Sequence, residues 1–123
     1  MDTRDQQILN IRPMIDFGEI PQPLEKFQEV LRQVLKFQND ILLLNIKNFL
    51  NIKHKGFDNL DYTVRKELFY KSLKNDIALK KDLIGMVKGL FTSQELEIYF
   101  NNQKEINKRL LEFIYKRIVE QLV

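Results

Sequence analysis

The chain has 123 residues, 44% hydrophobic and 30% charged, which is typical of one globular domain with a core of its own. It has no cysteine, which excludes disulfides, thiolate zinc sites, iron–sulfur clusters and cysteine nucleophiles. The net charge is only +3 and acidic residues are interspersed among the basic ones, whereas proteins that bind nucleic acid or anionic membranes usually concentrate their basic charge.

The N-terminal segment predicts a short helix over 1–12, followed by an extended strap. Thr3 and Gln6 have the spacing of a capping box, and Pro13 disfavours helix at the residue before it. All three prolines lie in the stretch IRPMIDFGEIPQP, which has no helical period but is rich in apolar residues. Because this is not the composition of a flexible Gly/Ser linker, we expect an ordered strap over 13–23. A ligand or partner site and a disordered linker are the alternatives.

A long second helix is predicted over 24–55, because apolar residues recur with helical period and Gly56 is typical of the position after a helix end. Its segment ILLLNIKNFL, residues 41–50, is apolar on more than one face. It is therefore either the centre of a monomeric bundle or a seam between subunits. The candidate seam residues are Ile41, Leu42, Leu43, Leu44, Ile46, Phe49 and Leu50.

Three further helices are predicted over 60–74, 76–90 and 93–122. Gly85 and Gly89 lie four residues apart and are expected to permit the close approach of another helix. Thr92 and Glu95 have capping-box spacing. The last helix could break at 101–102, although one continuous helix is favoured.

No segment alternates with the period of two that a strand would show. The sequence therefore predicts one all-α domain over 1–123, an antiparallel bundle of four to five helices with the N-terminal strap. A straight helix over 24–55 would be about 48 Å long, whereas a compact chain of this size has a diameter of roughly 35 Å. The long helices either kink or pack on another subunit, and a homodimer is favoured. Contact with another protein is a further possibility.

The chain carries no recognisable catalytic constellation. Its one histidine, His54, lies between two lysines, and a carboxylate di-iron bundle needs two Glu-x-x-His pairs. Phosphate-binding loops and the G-x-S-x-G motif are absent. No catalytic, cofactor or metal residues are predicted, and a non-enzymatic protein is favoured. The alternative is a small-ligand or enzymatic site between the strap and the last helix, with Arg12, Asp16, Phe17, Tyr99, Asn102 and Arg109 as its candidate residues.

Nucleic-acid binding is a weaker alternative. The third and fourth predicted helices carry Lys66, Lys71, Lys74, Lys80, Lys81 and Lys88. Acidic residues are mixed among them and the turn between the helices lacks glycine, unlike many helix-turn-helix motifs. The N-terminus has no apolar signal-peptide region, and no apolar run is long enough to span a bilayer. A cytoplasmic location without membrane contact is therefore expected.

Four segments resemble a group of short, uncharacterised bacterial proteins: RPMIDFG at 12–18, LRQVLKFQ at 31–38, LIGMVKGLFT at 83–92 and EIYFNNQKEINKR at 97–109. The resemblance covers nearly the whole chain and implies an all-helical protein. Some members carry the label glyoxalase, but proteins of the glyoxalase I type have a βαβββ fold and a metal held by histidine and glutamate. One histidine and no strand pattern do not support that activity. Members often have proline in place of Gln33, which implies a kink near 31–33.

Overall fold

A computed structural model describes residues 3–12 and 23–122, and this part of the chain is all-α, without a strand. The helices are α1 (Arg4–Ile11), α2 (Pro23–Lys53), α3 (Tyr62–Asn75), α4 (Ile77–Lys88), α5 (Ser93–Asn101) and α6 (Gln103–Ile118). Short 3₁₀ helices cover Phe57–Asn59 and Val119–Leu122. The predicted helical class is confirmed. Residues 13–22 of the predicted strap lie outside the described residues.

Both predicted capping boxes are present. The Thr3 hydroxyl accepts the Gln6 N–H at 3.2 Å, and Gln6 Oε1 accepts the Thr3 N–H at 2.8 Å. Thr92 and Glu95 make the same pair of bonds at the start of α5, at 3.3 and 2.8 Å. These short-range bonds satisfy backbone N–H groups that have no partner inside the helix. α5 begins at Ser93, as predicted, whereas α1 begins at Arg4, inside the helix predicted over 1–12.

The C-terminal segment differs from the single helix expected over 93–122. Asn102 has φ −137° and ψ 29°, which divides the segment into α5 and α6. Its Nδ2 donates to the Ile98 carbonyl at 2.9 Å, the kind of side-chain bond by which asparagine competes with helical hydrogen bonding. The expectation of one continuous helix is corrected accordingly. By contrast, α2 is helical at every residue of its range, including 31–33.

The core is built around α2, which packs against both α4 and α6. Gln38 bonds to the Met86 carbonyl and Lys53 pairs with Asp76, so α2 and α4 run in opposite directions. Arg32 contacts Phe113, and Asn39, further along α2, bonds to Arg117, further along α6. The two helices therefore run in the same general direction. α3 packs against α4, α6 and the C-terminal 3₁₀ helix.

Gly85 in α4 and Gly89 at its C-terminal cap do not mark a close helix approach. Among the described residues, a Cβ at Gly85 would meet no heavy atom within 4 Å, and one at Gly89 would meet carbonyl oxygens of α4, the nearer at 3.1 Å. The predicted packing role is therefore wrong for both residues. Gly56, with φ 75°, has a different role: it takes the left-handed conformation just after α2 ends.

The helices within 3–12 and 23–122 differ from membrane-spanning helices. None of these helices combines the length and the hydropathy that a bilayer span requires.

Candidate functional site

Arg12 is the one predicted ligand-site residue of the N-terminal segment that the structure describes. Only 4% of the residue is exposed. Its guanidinium forms an ion pair with Glu95, donates to the Leu90 carbonyl at 3.1 Å and donates to Gln33 Oε1 at 3.2 Å. The groups that a ligand would need are therefore occupied by the chain itself.

Glu95 joins this cluster to the start of α5. The oxygen that contacts Arg12 also accepts the Thr92 N–H of the capping box. Taking two charges out of water is unfavourable unless further hydrogen bonds satisfy them, and here the backbone of α5 supplies one of those bonds. The ion pair thus ties α1 to the first turn of α5.

A second contact holds α1 to the same region. Arg4 donates to the carbonyls of Gly89 at 2.6 Å and Phe91 at 2.8 Å, and Asp5 accepts the Ser93 N–H at 3.0 Å. The end of α4 carries partial negative charge and the start of α5 partial positive charge, so each side chain meets the opposite sign. We call Arg4, Asp5, Arg12 and Glu95 the α1 clamp. No local sequence pattern indicated it.

The candidate residues of the last helix do not converge on Arg12. Tyr99 is fully buried, its hydroxyl donates to Asn107 Oδ1 at 2.6 Å, and burial raises the pKa of its phenol. Asn102 forms the break after α5, and Arg109 pairs with Glu105 at 3.5 Å. Within the part of the chain that the structure describes, none of the three bonds to Arg12. Asp16 and Phe17 lie outside it.

The surface grooves lined by described residues give no support to that ligand site either. Of four grooves lined by described residues, the largest measures about 580 Å³ and lies between α3 and α6. Its lining includes Tyr70, Tyr115 and three lysines, but none of the four grooves is lined by a predicted ligand-site residue. Across 3–12 and 23–122, no three histidine, aspartate or glutamate side chains are placed to hold a metal ion.

One side of α2 is apolar and uncovered. Phe37 is 53% exposed, Ile41 46%, Leu44 70% and Ile52 78%. They share one side of the helix with the exposed Asn48. We call these five residues the α2 face. Val34 and Val30 lie on the same stripe one and two turns before Phe37, but there the rest of the chain buries them completely.

The predicted seam therefore separates into two sides. Leu42, Ile46 and Leu50 are fully buried core residues of a single chain, which removes them from an intersubunit seam. Leu43 and Phe49 are half-buried, and Ile41 and Leu44 are exposed. Phe37 and Ile52 were missed because they flank the densest apolar run. Their spacing from Ile41 and Leu44 was the sequence signal that could have found them.

Comparisons of the sequence with protein-family models, with curated proteins and with solved structures find no match.

Proposed function

We propose that the protein acts by protein–protein contact, and that it associates with a second copy of itself through the α2 face. The observation that carries the proposal is the row of four large apolar side chains left exposed on one side of one helix. Single exposed apolar residues are common, whereas several on one side of a helix, with Phe37, Ile41 and Leu44 on successive turns, are typical of an interaction site.

The spacing of the row supports a helical partner. From Val34 to Asn48 the steps are three, four, three and four residues, the a/d pattern of helices that pack knobs into holes. The exposed part is about 22 Å long, and a standard interface buries roughly 800 Å² on each partner. A single helix pair of this length is smaller than that, so we expect reversible association and not an obligate dimer.

The proposal includes the bundle and strap expected from the sequence. Opposed directions of α2 and α4 support the antiparallel part of that arrangement. Residues 13–22 would then fasten α1 to it, while the bundle holds the α2 face outward. Membership of the short helical bacterial group and a cytoplasmic location stay predictions.

The experiment is sedimentation velocity or light scattering from low to high micromolar protein concentration. We expect the wild type to shift from monomer to dimer and Leu44→Glu to stay monomeric, because a charge would have to be desolvated at the contact. Leu44 is largely exposed, so helical circular dichroism should be unchanged in the variant.

The matched control is Val64→Glu. Val64 is exposed on α3, off the α2 face, so this variant should dimerise like the wild type. A wild type that remains monomeric throughout the concentration range would reject the proposal. Equal loss of association in both variants would reject the α2 face as its site.

Catalysis, small-ligand binding and nucleic-acid binding lack a comparable observation. The lysines of α3 have partners in their own helix: Lys71 pairs with Glu67, and Lys66 lies over Tyr62. We therefore propose no second function.

A further inference from the structure

We infer that the two copies pair antiparallel, α2 against α2, about a two-fold axis between Ile41 and Leu44, with Asp40 of each copy beside Lys47 of the other. The inference rests on the proposed self-association and adds its direction and register. A two-fold interface uses the same patch on both copies, so the patch must be complementary to itself.

Four of the five residues of the α2 face, Phe37, Ile41, Leu44 and Asn48, meet this requirement about that axis, and Ile52 lies beyond them. Ile41 of one copy lies opposite Leu44 of the other, and Phe37 lies opposite Asn48, because the members of each pair are equally far from the axis along the sequence. Each of these two contacts then occurs twice in the dimer, once on each side of the axis. Apolar side chains meet at the centre, and the Asn48 amide lies near the end of the shared contact, where water can reach it.

The flanking charges also fit. Asp40 and Lys47 each lie one residue before an a-type position, Ile41 and Asn48, which is the g position of the repeat. In antiparallel pairs, g positions face one another, so Asp40 meets Lys47 of the other copy at two symmetric places. Among the described residues neither makes an ion pair within its own chain, and Asp40 Oδ1 accepts a hydrogen bond from the neighbouring Asn39 Nδ2 at 3.2 Å. A charge pair between the copies would therefore replace no ion pair among these residues.

Parallel pairing lacks this complementarity. It would place Asp40 near Asn45 and Lys47 near Ile52, because g positions then face e positions. It would also bring the covered stretches around Val30 and Val34 of both copies to the same end. In the antiparallel register each α2 ends, at Lys53, opposite the region where the other copy's covered stretch lies. The exposed stretches of the two α2 helices then lie side by side, and the covered stretches lie at opposite ends of the contact.

The first test is charge reversal, with the dimer dissociation constant measured at low salt. Asp40→Lys and Lys47→Asp each create two like-charge contacts, and we expect each to weaken the dimer about 5- to 30-fold. The double variant restores opposite charges and should return to within about threefold of the wild type. If the double variant dimerises as weakly as the single variants, while Leu44→Glu still abolishes the dimer, the register is wrong. That result would leave the proposed function intact.

The second test uses the absence of native cysteine. A short bismaleimide should link Asp40→Cys to Lys47→Cys when the two variants are mixed, and should link neither variant efficiently to itself. Self-linking of Asn48→Cys with no product from the mixture would establish parallel pairing and overturn the inference. A monomeric wild type in the concentration series is a different result, because it rejects the self-association itself.

Discussion

Arg12 and Glu95 form an ion pair in which both side chains are buried. Removing one member of such a pair leaves an uncompensated charge out of water, which typically destabilises a protein by about 3–5 kcal/mol. We expect Glu95→Ala to lower the free energy of unfolding by an amount of that order, measured by denaturant unfolding. Glu97→Ala is the matched control, because Glu97 is exposed on the same helix and should change stability by about 0.5 kcal/mol or less. Equal losses in both variants would contradict a special role for the pair.

The pKa of Asp76 should depend on the contact between the end of α2 and the start of α4. Its carboxylate accepts the Leu79 N–H at 2.9 Å and pairs with Lys53 at 3.0 Å, and both contacts lower its pKa. A lowered folded-state pKa means that the stabilisation is present above the ordinary aspartate pKa and is lost as the pH falls through the folded-state pKa.

Carboxylate titration by NMR can separate the two contacts. We expect Lys53→Met to raise the pKa of Asp76 while leaving it below the usual aspartate range, because the Leu79 N–H bond is the larger cause and remains. Lys55→Met, an exposed lysine in the turn after α2, should leave it unchanged. An Asp76 pKa that does not respond to Lys53→Met would contradict this account.

At this scale the sequence predicted contacts between near neighbours only. The bonds of Thr3 with Gln6 and of Thr92 with Glu95 span three residues, and capping chemistry requires that spacing. The Arg12–Glu95 pair spans 83 residues. Nothing local distinguishes Arg12 from an exposed arginine, so its burial depended on where α1 docks.

Replacing glycine by alanine should change stability in opposite directions at Gly56 and at Gly85. Gly56 has φ 75° after α2, where an L side chain costs about 1–2 kcal/mol, and open space at its Cβ position makes that cost conformational rather than steric. Gly85 lies within α4, also with open space, so alanine should favour the helix by about 0.5–1 kcal/mol.

We therefore expect Gly56→Ala to lower the unfolding midpoint and Gly85→Ala to raise it. Each variant is the other's control for the chemical change itself. The same denaturant measurement decides both, and a shift of the same sign in the two variants would contradict the assignment of their backbone roles.

Helix existence was predictable because the core-facing residues keep a 3.6-residue period, whereas the break at Asn102 was harder to predict. Buried Tyr99 and Ile106 lie on either side of it, and one non-helical residue disturbs the apolar period too little for the pattern to decide. The interruption depends on the backbone conformation of a single asparagine. Pattern reasoning could name that position as a possible break but could not choose it.

For the whole molecule, the all-α class followed from the sequence, whereas the division of α2 into buried and exposed sides did not. The run from Ile41 to Leu50 is apolar on several sides, and which side is covered depends on where α4 and α6 pack. Those placements come from contacts distant in sequence. The sequence could therefore name a seam, and only the packed helices could show that Leu42 is core and Leu44 is surface.

The α1 clamp also has a consequence for the time course of synthesis. Residues 4–12 leave the ribosome before the groups they bind at the end of α4 and the start of α5, which follow 78 to 88 residues later. At ordinary translation rates that delay is about 4 to 18 s. An eight-residue helix is marginal without tertiary contacts, so α1 cannot wait in folded form. α1 should therefore fold after the helices that follow it, and its residues should be open to proteases and chaperones until α5 has emerged.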